Sequence, residues 1–69
     1  MEIVSKSIVL QLSKKSGMAV LELENCTLWA MIDVPHQNVV GSKAQILKKG
    51  RSYYIQFEGS NEKFAADEM

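Results

Sequence analysis

MAVLELENCTLWAMIDV, residues 18–34, is the stretch on which the fold turns. Its first seven residues place Ala19, Leu21 and Leu23 on one face and turn Glu22 and Glu24 to water, the alternation of a half-buried strand. Asn25 marks a hairpin, because its short polar side chain tolerates positive φ. Residues 26–34 are then apolar on both parities, with Cys26, Leu28, Ala30, Ile32 and Val34 set against Trp29 and Met31. Such a strand is covered on both faces, or meets a partner with its outer one. Helix is the competing assignment for so short an apolar run, and Thr27 with the flanking turn signals favours strand. If Ala30 and Ile32 point inward, Trp29 and Met31 stand outside, beside Val20, as an expected partner interface, unless the C-terminal segment folds over and covers them.

Upstream, residues 3–12 (IVSKSIVLQL) set Val4, Ile8, Leu10 and Leu12 on one parity, broken only by Lys6. Lys14 to Gly17 reads as a turn. Downstream, Pro35-His36-Gln37-Asn38 interrupts the chain, since proline cannot donate to a ladder. Ala44 and Ile46 then alternate with Lys43 and Gln45, and Lys48-Lys49-Gly50-Arg51 reads as a second hairpin turn. In residues 52–57 (SYYIQF), Tyr53, Ile55 and Phe57 point inward, with Tyr54 and Gln56 outward. The expected fold is all-β: a five-stranded small barrel, OB-like or SH3-like, over residues 1–58. Residues 59–69 form an acidic C-terminal extension. It is read as a short helix capped by Ser60 or Asn61, with Phe64 plugging a barrel end, or as disordered. No internal repeat is visible.

Several segments carry a family resemblance. Val20-Leu21-Glu22-Leu23-Glu24-Asn25, Ala30-Met31-Ile32, Val40-Gly41-Ser42-Lys43 and Lys49-Gly50-Arg51 resemble the hairpin and the later strands of bacterial translation initiation factor one. Gly17, Leu28-Trp29-Ala30 and Val40-Gly41 also resemble the soluble C-terminal domain of NfeD-like membrane-associated proteins. Both likenesses span about residues 12–57 and imply an OB-fold more than either function. The chain departs from the first family in lacking the insertion between the third and fourth strands and the arginine-rich final strand. It departs from the second in lacking the membrane helices that precede that domain.

Eight Lys and Arg balance eight Asp and Glu across 69 residues, with 46% of the chain hydrophobic and 23% charged. These values exclude a strongly basic duplex-binding protein and an acidic solvating tail, but not a local charged patch. So short a chain has a thin stability margin, and oligomerisation is the expected supplement. The single Cys26 cannot form an internal disulfide, and with the single His36 it makes no metal cluster, so no metal or cofactor is expected. No apolar run approaches the roughly 18 residues of a membrane span, and a lone thiol fits a reducing compartment. The expectation is a cytoplasmic protein without membrane insertion.

No catalytic residue stands out. His36 reads as a loop histidine and Cys26 as a buried structural thiol. Six of the eight basic residues fall in two clusters, Lys14 and Lys15 in one, and Lys43, Lys48, Lys49 and Arg51 in the other. If both flank one barrel face, they track phosphates while Tyr54, with Trp29 or Tyr53, stacks bases. That is a single-stranded nucleic-acid site. The alternative is equally concrete: the basic residues are solvated hairpin turns and edge lysines that deter aggregation, and Tyr53 and Trp29 are simply core. The other expected function is a protein–protein adaptor that self-associates or docks a partner through Val20, Trp29 and Met31. A small-molecule or anion-binding barrel is a third reading, with no specific residue behind it.

Overall fold

In the computed structural model, which describes residues 2–15, 17–33 and 38–69 (of Lys15 the backbone only), the alternating segments close into an antiparallel barrel. The strands are β1 (Glu2–Lys15), β2 (Met18–Leu23), β3 (Leu28–Met31), β4 (Lys43–Lys49), β5 (Ser52–Phe57) and β6 (Lys63–Glu68). They join in the order β1-β2-β3-β6-β5-β4, with β4 returning to β1. The fold is therefore an all-β small barrel, compatible with an OB-like one, with six strands where the sequence predicts five. Pro35 and His36 lie outside the described residues.

The sixth strand corrects the reading of residues 59–69. Ser60 Oγ does accept a hydrogen bond from the Glu62 amide at 3.1 Å, but that turn leads into a strand. Glu62-Lys63-Phe64-Ala65-Ala66 has good helix formers, yet β3 and β5 would then keep open edges. Pairing β6 between them closes the barrel and buries Phe64 opposite Ile55, 5.7 Å from the Phe57 ring. Phe64 is the core residue the sequence makes it, reached through a strand.

Two β-bulges correct the parity of β1. The register slips between Ile3 and Ser5 against β4, and between Val9 and Gln11 against β2. Val4 and Leu10, the residues skipped, are extruded and exposed. After the second bulge Leu12 returns to the core, and Val9 takes the buried place before it. The bends let one 14-residue strand serve both neighbours, β4 with its first half and β2 with its second.

β3 is inverted relative to expectation. Ala19 pairs with Met31 and Leu21 with Trp29, and directly opposed residues share a face. Because Ala19 and Leu21 fill the core, Trp29 and Met31 join them, at 4% and 0% exposure. Ile32 is left outside. The β2–β3 turn fixes this register. Cys26 adopts φ 69°, so the left-handed position is Cys26 and not Asn25. Cys26 is exposed rather than buried. Asn25 works through its side chain: Oδ1 accepts from the Thr27 amide at 3.3 Å and from the Thr27 hydroxyl, and Nδ2 donates to Ser5 Oγ at 3.2 Å. Trp29 Nε1 in turn donates to Thr27 Oγ1 at 3.0 Å. This relay satisfies the one polar atom of the buried indole. Left-handed backbone costs a non-glycine residue about 1–2 kcal/mol. Cys26→Gly is therefore expected to stabilise the barrel by up to about 1 kcal/mol, after the unfolded-state entropy of glycine is set against the relief. A urea melt checks it, and a loss of stability would contradict it.

The barrel also holds an internal repeat that the linear sequence hides. Two three-stranded meanders, β1-β2-β3 and β4-β5-β6, exchange places in the strand order without changing it. Their first hairpins have the same two-residue connection, with Lys15 opposite Met18 in one and Lys49 opposite Ser52 in the other. At one constant offset Lys14-Lys15 matches Lys48-Lys49, Leu21 matches Ile55, Leu23 matches Phe57 and Glu24 matches Glu58. The core positions recur because each meander supplies an equivalent half of one interior.

Candidate interaction surfaces

With Trp29 and Met31 inside, the outer face of β2, β3, β6 and β5 presents different residues. Tyr54 pairs with Ala65 on one side and Leu47 on the other, and Leu47 with Ile3. Met18 and Ile32 extend this row, each one residue beyond the paired Ala19 and Met31. The result is an outward apolar row, Met18–Ile32–Ala65–Tyr54–Leu47–Ile3. Ile32 is 71% exposed and Met18 44%, while Leu47 is buried although it stands outside the core cluster. A cleft of about 140 Å³ lies across it, lined by Met18, Ala30, Ile32, Arg51, Tyr54 and Asp67 among others. Val20 is half-buried on the same outer face, opposite Ala30.

The two hairpins reach this cleft from different strands. Met18 begins β2 where the first hairpin ends, and Arg51 and Ser52 belong to the second, so both turns border it. Tyr54 and Arg51 are brought together as the sequence expects, and Lys14 and Lys49 are exposed near their hairpin ends. Tyr53 also lines the cleft but packs against the core, with Lys48 over its ring. Tyr53 packs on Trp29 at 5.4 Å between ring centroids, and Lys48 Nζ sits 5.5 Å over the Tyr53 ring. Of the three aromatics expected to stack bases, only Tyr54 points outward. Lys43 leaves the cluster altogether, because it starts β4 while Lys48 and Lys49 end it.

Lys43 lines a second, larger groove of about 470 Å³ with Lys6, Gln45, Gln56, Glu58, Ser60 and Asn61. Lys6, Gln45, Gln56 and Lys63 form one outward row across β1, β4, β5 and β6. Sequence reading passes over Lys6, Gln45 and Gln56, since a polar outer face looks like ordinary solvated strand. Ile32 escapes it because the parity at β3 is unreadable from that segment alone, Ala65 because no sixth strand is predicted, and Met18 because its row exists only once the registers are set. Among the described residues no group of three or more His, Cys, Asp or Glu side chains could hold a metal ion. Nor is any helix among them long and apolar enough to cross a membrane. Comparison with protein-family models, with curated proteins and with solved structures yields no match, so neither family likeness of the sequence gains support.

Proposed function

We propose that this barrel is a non-enzymatic interaction module that pairs with a second copy of itself through the β2–β3–β6–β5 face. The observation that carries this reading is the exposed pair Met18 and Ile32 in a continuous outward apolar row. A closed barrel has no strand edge to satisfy, so apolar side chains on its outer face gain most from a partner. The face is also self-complementary in charge. Arg51 and Asp67 line the same cleft, so a two-fold axis passing between them would set each against the opposite charge of the other copy. A standard interface takes about 800 Å² from each partner, roughly a sixth of the 4681 Å² surface of this chain.

The test is light scattering over about 10 µM to 1 mM, beside the variant Ile32→Glu, with expected dissociation in the range of weak, transient pairs. The parent is expected to move from monomer to dimer across that range, and the variant to stay monomeric with an unchanged melting temperature. A parent that stays monomeric throughout would sink the reading.

A second reading, a single-stranded nucleic-acid site on the same face, is favoured by Arg51 and Tyr54 lining one cleft, with the first hairpin reaching it through Met18. It predicts oligo-dT and oligo-U binding whose log affinity falls with log salt, lost when Lys48, Lys49 and Arg51 become glutamate. Its cost is the net charge of zero and the single outward aromatic.

A further inference from the structure

The groove around Lys43 shares no lining residue with the apolar cleft and has a different chemistry. We infer that it is a binding site for a phosphomonoester carried on a sugar, of the size of a nucleoside monophosphate. Four observations support this. Lys6 and Lys43 stand on adjacent strands of one wall, as Lys6 pairs with Gln45 and Lys43 lies two residues earlier on β4. Two exposed lysines lining one groove suit a dianion better than a neutral ligand.

The floor is made of amides. Gln45 and Gln56 are paired across β4 and β5, half-buried, and aimed outward. Gln56 Nε2 donates to the Ser60 carbonyl at 2.8 Å, which holds the opposite wall in place. That wall, Gly59 to Asn61, is further fixed by the Ser60 amide donating to the Phe57 carbonyl at 3.1 Å. Among the described residues no intramolecular hydrogen bond engages the Gln45 amide, so it is free for a ligand. Gln45, Asn61 and the Glu58 carboxylate supply the mixed donors and acceptors that sugar hydroxyls need.

Size and continuity complete the case. The groove holds about 470 Å³, within the range of small-molecule sites. It runs on past Lys43 and Glu58 into a second hollow of about 450 Å³ beside Ile8, Gly41 and Ser42. Ile8 offers that hollow an apolar wall for a ring, while the phosphate stays with the lysines.

The experiment is a titration of the isotope-labelled chain, followed by amide NMR, with AMP, ribose 5-phosphate, inorganic phosphate and adenosine. AMP is expected to give saturable shifts at the Gln45 and Gln56 side-chain amides and at residues 59–61, more tightly than ribose 5-phosphate. Inorganic phosphate is expected to bind more weakly than either, and adenosine not to saturate. Lys43→Glu, an outward change that leaves the core intact, is expected to weaken AMP by about tenfold or more through loss of a charge-assisted contact. Lys49→Glu, on the hairpin, is expected to change it little. No saturation by either ester up to about 10 mM, a dissociation constant too weak to count as a site, would overturn the inference. So would equal losses in the two lysine variants, or adenosine or inorganic phosphate binding as tightly as AMP.

Discussion

Replacing Trp29 with alanine is expected to destabilise the barrel by about 3–5 kcal/mol, a third or more of its total stability. Truncating a buried tryptophan costs about 3–5 kcal/mol through lost burial and the cavity left behind. At about 0.05–0.15 kcal/mol per residue, a chain of this length has roughly 3.5–10 kcal/mol in total. Trp29 is 4% exposed, packs against Tyr53, and ties the β2–β3 turn to the core through Thr27. The variant also strands Tyr53 and its Lys48 partner over the cavity. Far-UV circular dichroism and a urea melt read the outcome. Trp29→Phe separates the packing from the hydrogen bond, and is expected to cost about 1–2 kcal/mol, in the range for lost polar contacts and reduced volume. A Trp29→Ala protein that melts cooperatively within about 1 kcal/mol of the parent, well below the cost of a buried tryptophan, would place Trp29 back on the surface.

Ending the chain after Glu62 is expected to abolish cooperative folding. The loss removes β6, and with it both of the ladders that join β3 to β5. Phe64 and Ala66 leave the core, and the Phe57 ring loses its aromatic neighbour. Two strand edges are opened at once, and unpaired edges recruit other chains, so aggregation should accompany the loss. Ending the chain after Ala66 instead keeps both buried side chains and should retain a folded, less stable barrel. Dispersed amide resonances from the chain ended at Glu62 would show that β6 is an appendage, and would contradict the closure described above.

How much of this was legible depended on what each segment needed from its neighbours. Ala44, Ile46, Ile55 and Phe57 lie inside as their alternation predicts, because each sits in a strand whose parity its own sequence sets. β1 was misread at Val4 and Leu10 because a bulge leaves no mark in an apolar run. β3 was misread because both of its faces are apolar, so only the pairing with Ala19 and Leu21 decides between them. Residues 63–68 were misread because their helix propensity is local, while the gap between β3 and β5 that they fill is not.

The candidate surfaces divide in the same way. That Arg51 and Tyr54 share a site follows from their being three residues apart on one hairpin. Lys43 parted from the other basic residues because sequence distance along β4 is spatial distance along an extended strand. The groove around Gln45 and Gln56 could not be foreseen, since cross-strand pairs exist only once register is set.

The amino-acid sequence by itself determined an all-β chain, its first hairpins and most of its core residues. It did so because alternation, glycine turns and residue chemistry are local properties. Tertiary structure alone decided the sixth strand, the burial of Trp29 and Met31, and the emergence of Met18 and Ile32 on the surface. Those depend on barrel closure, which satisfies every edge together and fixes all registers with it.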